Sequence, residues 1–178
     1  GGGKSTVIKR LMAQNPHLIH SISATTRKPR GQEKNGDPYW FVTVPEFVRR
    51  RNAGDFWEWE EVYGDYYGTP RRPAEQAAQA GQDVLFDLDV KGALKLKVAH
   101  PDVLLIFLSP PSLEILEERL RKRATENEEQ LQRRLAVARW ECDQAGRFDH
   151  MVVNDELEKT VTAISNIIRN TFKEAHAS

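Results

Sequence analysis

Three short apolar runs, separated by stretches with helical spacing, constrain this chain more than any other feature. They lie at 84–88, 103–108 and 150–153. Runs this short and this continuously apolar read as strands buried on both faces. The helical stretches lie at 5–14, where Val7, Ile8, Leu11 and Met12 share a face, then at 71–80, 90–98, 112–122 and 127–145. Gly81 stops the second of these as a C-terminal cap. A last helix carries Leu157, Val161, Ile164, Ile168 and Phe172 on one side. Strands alternating with helices predict an α/β chain with a parallel sheet flanked by helices. Residues 18–22 read as a further short strand. From 23 to 69 the pattern is irregular, with a strand such as 56–62, a small helix near 45–53, and turns at Asn35-Gly36 and Gly64-Asp65. With no repeat, no low-complexity tract and no flexible linker, the 178 residues read as a single domain.

Composition narrows the partners. Lys plus Arg is 26 and Asp plus Glu is 26, so the net charge is zero and nothing pulls the whole chain towards nucleic acid or an anionic membrane. Hydrophobic residues at 39% can build a core, and no apolar run approaches the ~20 residues of a membrane span. A lone cysteine, Cys142, forms no internal disulfide and fits a reducing cytoplasm. Neither nucleic acid nor a membrane is therefore expected as a partner, and oligomeric state is left open.

The chain opens Gly1-Gly2-Gly3-Lys4-Ser5-Thr6 and runs into the first helix. This is the second half of a phosphate-binding loop, G-x-x-x-x-G-K-[ST]. Glycines let backbone N–H groups approach phosphate oxygens, and the helix N-terminus adds partial positive charge. Lys4 is placed to reach the β- and γ-phosphates, and the Ser5 hydroxyl to coordinate Mg²⁺. The motif's first glycine falls before residue 1, so the strand that feeds the loop and half the loop are expected upstream, with this chain a fragment.

The middle segment carries a second set of signals. Thr25-Thr26-Arg27-Lys28-Pro29-Arg30 is followed by Asn35-Gly36-Asp37-Pro38-Tyr39-Trp40-Phe41, then Glu58-Trp59, then Tyr66-Tyr67-Gly68-Thr69, and finally Leu85-Phe86-Asp87-Leu88-Asp89. Ten of the fifteen aromatic residues lie between Tyr39 and Tyr67. Guanidinium forks suit phosphate, and tyrosine hydroxyls donate to the same oxygens. This ordered series resembles the guanylate kinase family over nearly the whole chain.

The resemblance implies a P-loop nucleoside monophosphate kinase fold: a core of 1–22, 70–118 and 146–178, a small mixed α/β GMP-binding subdomain at 23–69, and a helical lid at 119–145. It implies transfer of the γ-phosphoryl group of ATP to GMP, giving ADP and GDP, with Mg²⁺, for GTP supply and GMP recycling. Gly1, Gly3, Lys4, Ser5 and Thr6 would hold ATP phosphates. Arg27, Arg30, Tyr39 and Tyr67 would hold the GMP phosphate, while Ser23, Glu58, Thr69 and Asp89 read guanine. Guanine presents N1–H and an amino group on one edge, and an ionised carboxylate only accepts, so Glu58 matches guanine and mismatches adenine. Glu58 also lies in an acidic run with Asp55, Glu60 and Glu61, where solvated surface charge is the alternative.

Asp87 and Asp89 close an apolar strand, the edge where open α/β sheets bind ligands. Asp87 is expected near Mg²⁺ or Lys4, and Asp89 at the nucleotide, with helix N-capping as the other role for Asp89. Residues 119–139 hold seven basic groups against three glutamates. Arg119, Arg123 and Arg134 match the family's lid pattern as catalytic cations, while Arg121, Lys122, Arg133 and Arg139 read as a solvated helix face. Ala124 stands where the family usually has glycine. Asn154 either lies beside adenine or caps the helix at 155–172. Two other functions stay open: a non-catalytic guanylate-kinase-like module that binds phosphorylated peptides, and a related P-loop kinase for a sugar phosphate.

Overall fold

Helix formation begins as the opening glycines end. The computed structural model describes residues 3–123 and 127–176, so Gly1 of the phosphate loop and Ala124 of the lid lie outside the described residues. In chain order the elements are α1 (Lys4–Gln14), β1 (Leu18–Ser21), β2 (Ala24–Thr25), β3 (Lys34–Asn35), β4 (Pro38–Phe41), α2 (Val44–Asn52), β5 (Phe56–Val62), β6 (Asp65–Pro70), α3 (Arg71–Gln79), β7 (Asp83–Phe86), α4 (Val90–Ala99), β8 (Ile106–Ser109), α5 (Leu113–Arg123), α6 (Glu128–Asp143), β9 (His150–Val153) and α7 (Leu157–His176). No helix among the described residues is long and apolar enough to cross a membrane. Two compact units divide the chain: 16–103, and 1–15 with 104–178.

The second of these units contains α1, the parallel pair β8–β9, and helices α5, α6 and α7. Val7 and Leu11 are the buried face of α1, and Val161 and Ile164 that of α7. The two helices are joined by an ion pair from Arg10 to Glu158. Strand β8 starts at Ile106, three residues later than the apolar run at 103–108 predicts. The reason is a tertiary contact: Asp149 accepts the Leu105 N–H at 2.7 Å through Oδ2, and the Leu105 carbonyl takes the Asp149 and His150 N–H groups. Leu105 is thereby spent before the ladder begins. Helix α6 is started by a capping box in which Asn127 and Gln130 bond each other's backbone N–H.

Residues 16–103 contain the parallel pair β1–β7 and a five-stranded sheet ordered β3-β4-β2-β6-β5. The irregular stretch of the sequence is therefore this mixed sheet with α2 against it. Thr43 caps α2 by accepting the Glu46 N–H at 3.3 Å, and Pro45 follows in the first turn. Phe47, fully buried, stacks on Phe56 at 4.7 Å and on Tyr66 at 5.3 Å between ring centroids. Gly68 gives these rings room, because a Cβ there would stand 2.9 Å from Phe56 Cδ1 and 3.0 Å from Phe47 Cζ. The glycine of the Tyr-Tyr-Gly-Thr motif is thus a packing requirement. Strand β7 ends at Phe86, which leaves Asp87 in the segment leading to α4.

Candidate active site

In the unit of residues 16–103, three elements bring the nucleotide-monophosphate candidates together. Strands β5 and β6 pair antiparallel with Trp59 opposite Gly68, and the register shifts between Phe56 and Trp59. Glu58 sits in that irregularity, and such bulges re-aim a side chain. Its Oε1 accepts the Thr69 hydroxyl at 2.5 Å. Thr69 is fully buried. Asp89 is the N-cap of α4, accepting the Gly92 N–H at 2.7 Å. The capping role weighed for Asp89 is therefore real, and its charge also reaches Glu58.

Burial pushes the Glu58 carboxyl up to about 7, the Thr69 hydrogen bond opposes this, and Asp89 and Glu60 push it further up. This carboxylate is not a solvated surface charge. Between pH 4.5 and 7 the folded chain holds a proton on Glu58 that the unfolded chain has released, so stability falls as pH rises through that window. Above it the ionised group costs the fold roughly 3 kcal/mol. Glu58→Gln is expected to melt higher than the parent at pH 8, with the gain gone by pH 5. Only the ionised form is a pure acceptor. Guanosine, which carries no phosphate to titrate, is accordingly expected to bind more tightly at pH 8 than at pH 6, checked by calorimetry.

The phosphate candidates meet on the same sheet. Arg27 donates to both carboxylate oxygens of Glu33, at 3.0 and 3.2 Å, and to the Lys28 carbonyl at 3.0 Å. Its guanidinium lies over Tyr39 at 5.3 Å from the ring centroid and interacts electrostatically with the Tyr67 phenol. Tyr39 and Tyr67 meet edge-on at 5.7 Å. Arg27, Tyr39 and Tyr67 thus form one cluster. Glu33 also accepts the Arg30 N–H at 2.9 Å, while the Arg30 side chain is exposed. Those bonds hold the Glu33 carboxyl below the usual carboxylate range. Thr25 and Thr26 bond the carbonyl and N–H of Tyr66, at 2.9 Å each, and fasten the Arg27 loop to β6. The Ser23 carbonyl accepts the Trp40 N–H at 2.9 Å. Asp87 follows β7, and its charge partly offsets the burial that pushes the His20 imidazole down.

The other unit holds the phosphate-loop residues. Gly3 has φ of 96°, a left-handed conformation that favours glycine, and is the N-cap of α1. Lys4, Ser5 and Thr6 are exposed on its first turn, which has no acidic residue and no side-chain cap. Such a helix end accepts an anion. A Cβ on Gly3 would stand 3.5 Å from Asn154 Nδ2, so the loop and Asn154 are neighbours. Asn154 donates its backbone N–H to Ser109 at 2.7 Å. It does not cap the last helix, which begins at Leu157 rather than 155, so that reading is corrected. Arg119 is half-buried on α5, with Arg123 exposed at its end and Arg134 exposed on α6. Arg121, Lys122 and Arg133 pair with Glu117 and Glu128, Glu118, and Glu129, the behaviour expected of a solvated face.

The guanylate kinase family model matches residues 1–171 of this chain. The chain belongs to the guanylate kinase family. A guanylate kinase from Nitratidesulfovibrio vulgaris is 48% identical over 159 residues, covering 89% of this chain and 77% of the relative. One from Maricaulis maris is 43% identical over 169 residues, covering 94% and 78%. The crystal structure of guanylate kinase from Anaplasma phagocytophilum superposes with a TM-score of 0.78 at 36% identity, covering 93% of this chain and 80% of that one. Motif spacing does not single out Glu33 and Gly92, which the fold brings against the candidates Arg27 and Glu58. Neither belongs to a periodic pattern; a carboxylate shortly after two arginines and a glycine inside a helix were the available signals.

Proposed function

We propose that this chain transfers the γ-phosphoryl group of ATP to GMP, giving ADP and GDP, and so supplies GTP synthesis and recycles GMP in the cytoplasm. The observation that carries this reading is Glu58: a half-buried, desolvated carboxylate, braced by Thr69 beside Asp89, in a chain of the guanylate kinase family. Guanine brings two donors to such an acceptor, and Ser23 adds a further polar contact. Arg27, Arg30, Tyr39 and Tyr67 take the GMP phosphate. Gly1, Gly3, Lys4, Ser5, Thr6 and Asn154 take ATP. In-line transfer needs no side-chain nucleophile, so positioning and positive charge supply the catalysis. Lys4, Arg119, Arg123 and Arg134 bring that charge, and a lid built on α5 and α6 excludes water from the reacting phosphates. An exposed hydroxyl is a hard oxygen donor that fits Mg²⁺, so Ser5 would hold the ion, with Asp87 as a further candidate. Bound there, Mg²⁺ neutralises phosphate charge.

A coupled assay of ADP release tests the reading. ADP should appear only when ATP and GMP are both present, with GDP as the second product. GMP binding without ADP release would favour the peptide-binding module instead. A further outcome concerns Glu33, which anchors Arg27. Glu33→Ala should raise the KM for GMP about tenfold, the loss of a charge-assisted hydrogen bond of ~1.5 kcal/mol, and leave guanosine binding unchanged.

A further inference from the structure

Gly92 stands where a helix would be better served by another residue. It is the third residue of α4, and its backbone is not in the left-handed region, so no conformational need explains a glycine. Alanine is the stronger helix former at such a position. The explanation is spatial. A Cβ built on Gly92 would stand 2.7 Å from Glu58 Oε2, 3.3 Å from Glu58 Cδ and 3.0 Å from Asp89 Oδ1. The N–H of Gly92 is already given to Asp89, so Glu58 rests against the bare Cα of the helix. Its other oxygen is held by Thr69.

We propose that Gly92 is a specificity-determining positioning residue, whose missing side chain seats the Glu58 carboxylate against α4 in the pose that reads guanine. This rests on the guanine reading of Glu58. Thr69 holds one carboxylate oxygen and α4 abuts the other, so a Cβ at position 92 would displace the group. The atoms nearest the new methyl group, Glu58 Oε2 and Asp89 Oδ1, are the far ends of side chains and not backbone. The fold therefore tolerates the change, while the acceptor geometry facing the base does not.

The test is Gly92→Ala, assayed with GMP, ATP and guanosine. The KM for GMP and the dissociation constant of guanosine should both rise by about 10- to 100-fold. The KM for ATP should stay within about twofold, and the melting temperature should not fall. Glu58→Asp is one methylene shorter and retreats from the new methyl group. In the Gly92→Ala background it should cost far less than it costs alone, so the two changes are non-additive. Unchanged GMP and guanosine constants in Gly92→Ala would overturn the inference, as would strict additivity with Glu58→Asp. If Gly92→Ala fails to fold, the pair Glu58→Ala and Glu58→Ala/Gly92→Ala decides: the double variant should melt at or above the single one, and a lower melting point overturns the inference. A wild-type enzyme indifferent between GMP and AMP would sink the guanine reading and this inference together. A GMP-selective wild type with an equally selective Gly92→Ala would sink this inference alone.

Discussion

Replacing Glu58 by alanine should lower kcat/KM for GMP by about 10³-fold, with the loss mostly in KM. A carboxylate facing the N1–H and amino group of guanine makes two charge-assisted hydrogen bonds, each worth roughly 1.5–3 kcal/mol. Their loss leaves those donors without an acceptor in a water-poor site. Thr69 is buried and would lose the partner it holds at 2.5 Å, so the hydroxyl is left seeking a bond as well. The variant should nevertheless fold. Ionised Glu58 is held at an energetic cost, as its carboxyl at about 7 records. Removing it should raise the melting temperature above pH 7 even as activity collapses. Loss of activity with a gain in stability marks a residue kept for function rather than for the fold. Steady-state kinetics and a melting curve at pH 8, on one preparation, check both halves.

The second large effect is at Lys4. It stands on the first turn of α1, directly after the left-handed Gly3. Lys4→Ala should lower kcat by about 10³-fold, the usual loss when one preorganised positive group is withdrawn from a developing phosphoryl charge. Equilibrium binding of GMP should change little, because the residues proposed to hold GMP all belong to residues 16–103. Rapid-quench measurement of one turnover separates chemistry from product release and shows whether the loss is in transfer itself. An equal fall in GMP affinity and in kcat would mean that Lys4 supports the fold instead.

What was legible in the sequence was local or patterned. The run at 150–153 became β9, the run at 84–88 became β7 as far as Phe86, and the predicted helices lie within a few residues of α-helices among the described residues. Gly3-Lys4-Ser5 declared itself because a phosphate loop is written contiguously. The exceptions have tertiary causes. The run at 103–108 loses its first half to Asp149, which takes the Leu105 N–H from far along the chain. Asn154 stands ahead of α7, which begins at Leu157, and beside Gly3, an adjacency that spacing along the chain does not show. Gly68 enters the sequence only as part of the Tyr-Tyr-Gly-Thr motif, yet it is a gap for Phe47 and Phe56. Glu33 and Gly92 could not be found by spacing at all, since each matters through one partner that only folding brings near. The family resemblance implies a role for Glu58, and the geometry adds its desolvation, its bulge and its bond to Thr69.

The central claim is that Glu58 makes this enzyme read guanine. The most direct measurement is the ratio of kcat/KM for GMP to that for AMP, taken at pH 8 with saturating ATP. A site that rests on buried hydrogen bonds should favour GMP by about 10⁴-fold or more. The same ratio should fall towards unity in Glu58→Ala. Comparable rates with GMP and AMP in the unaltered protein would contradict the claim.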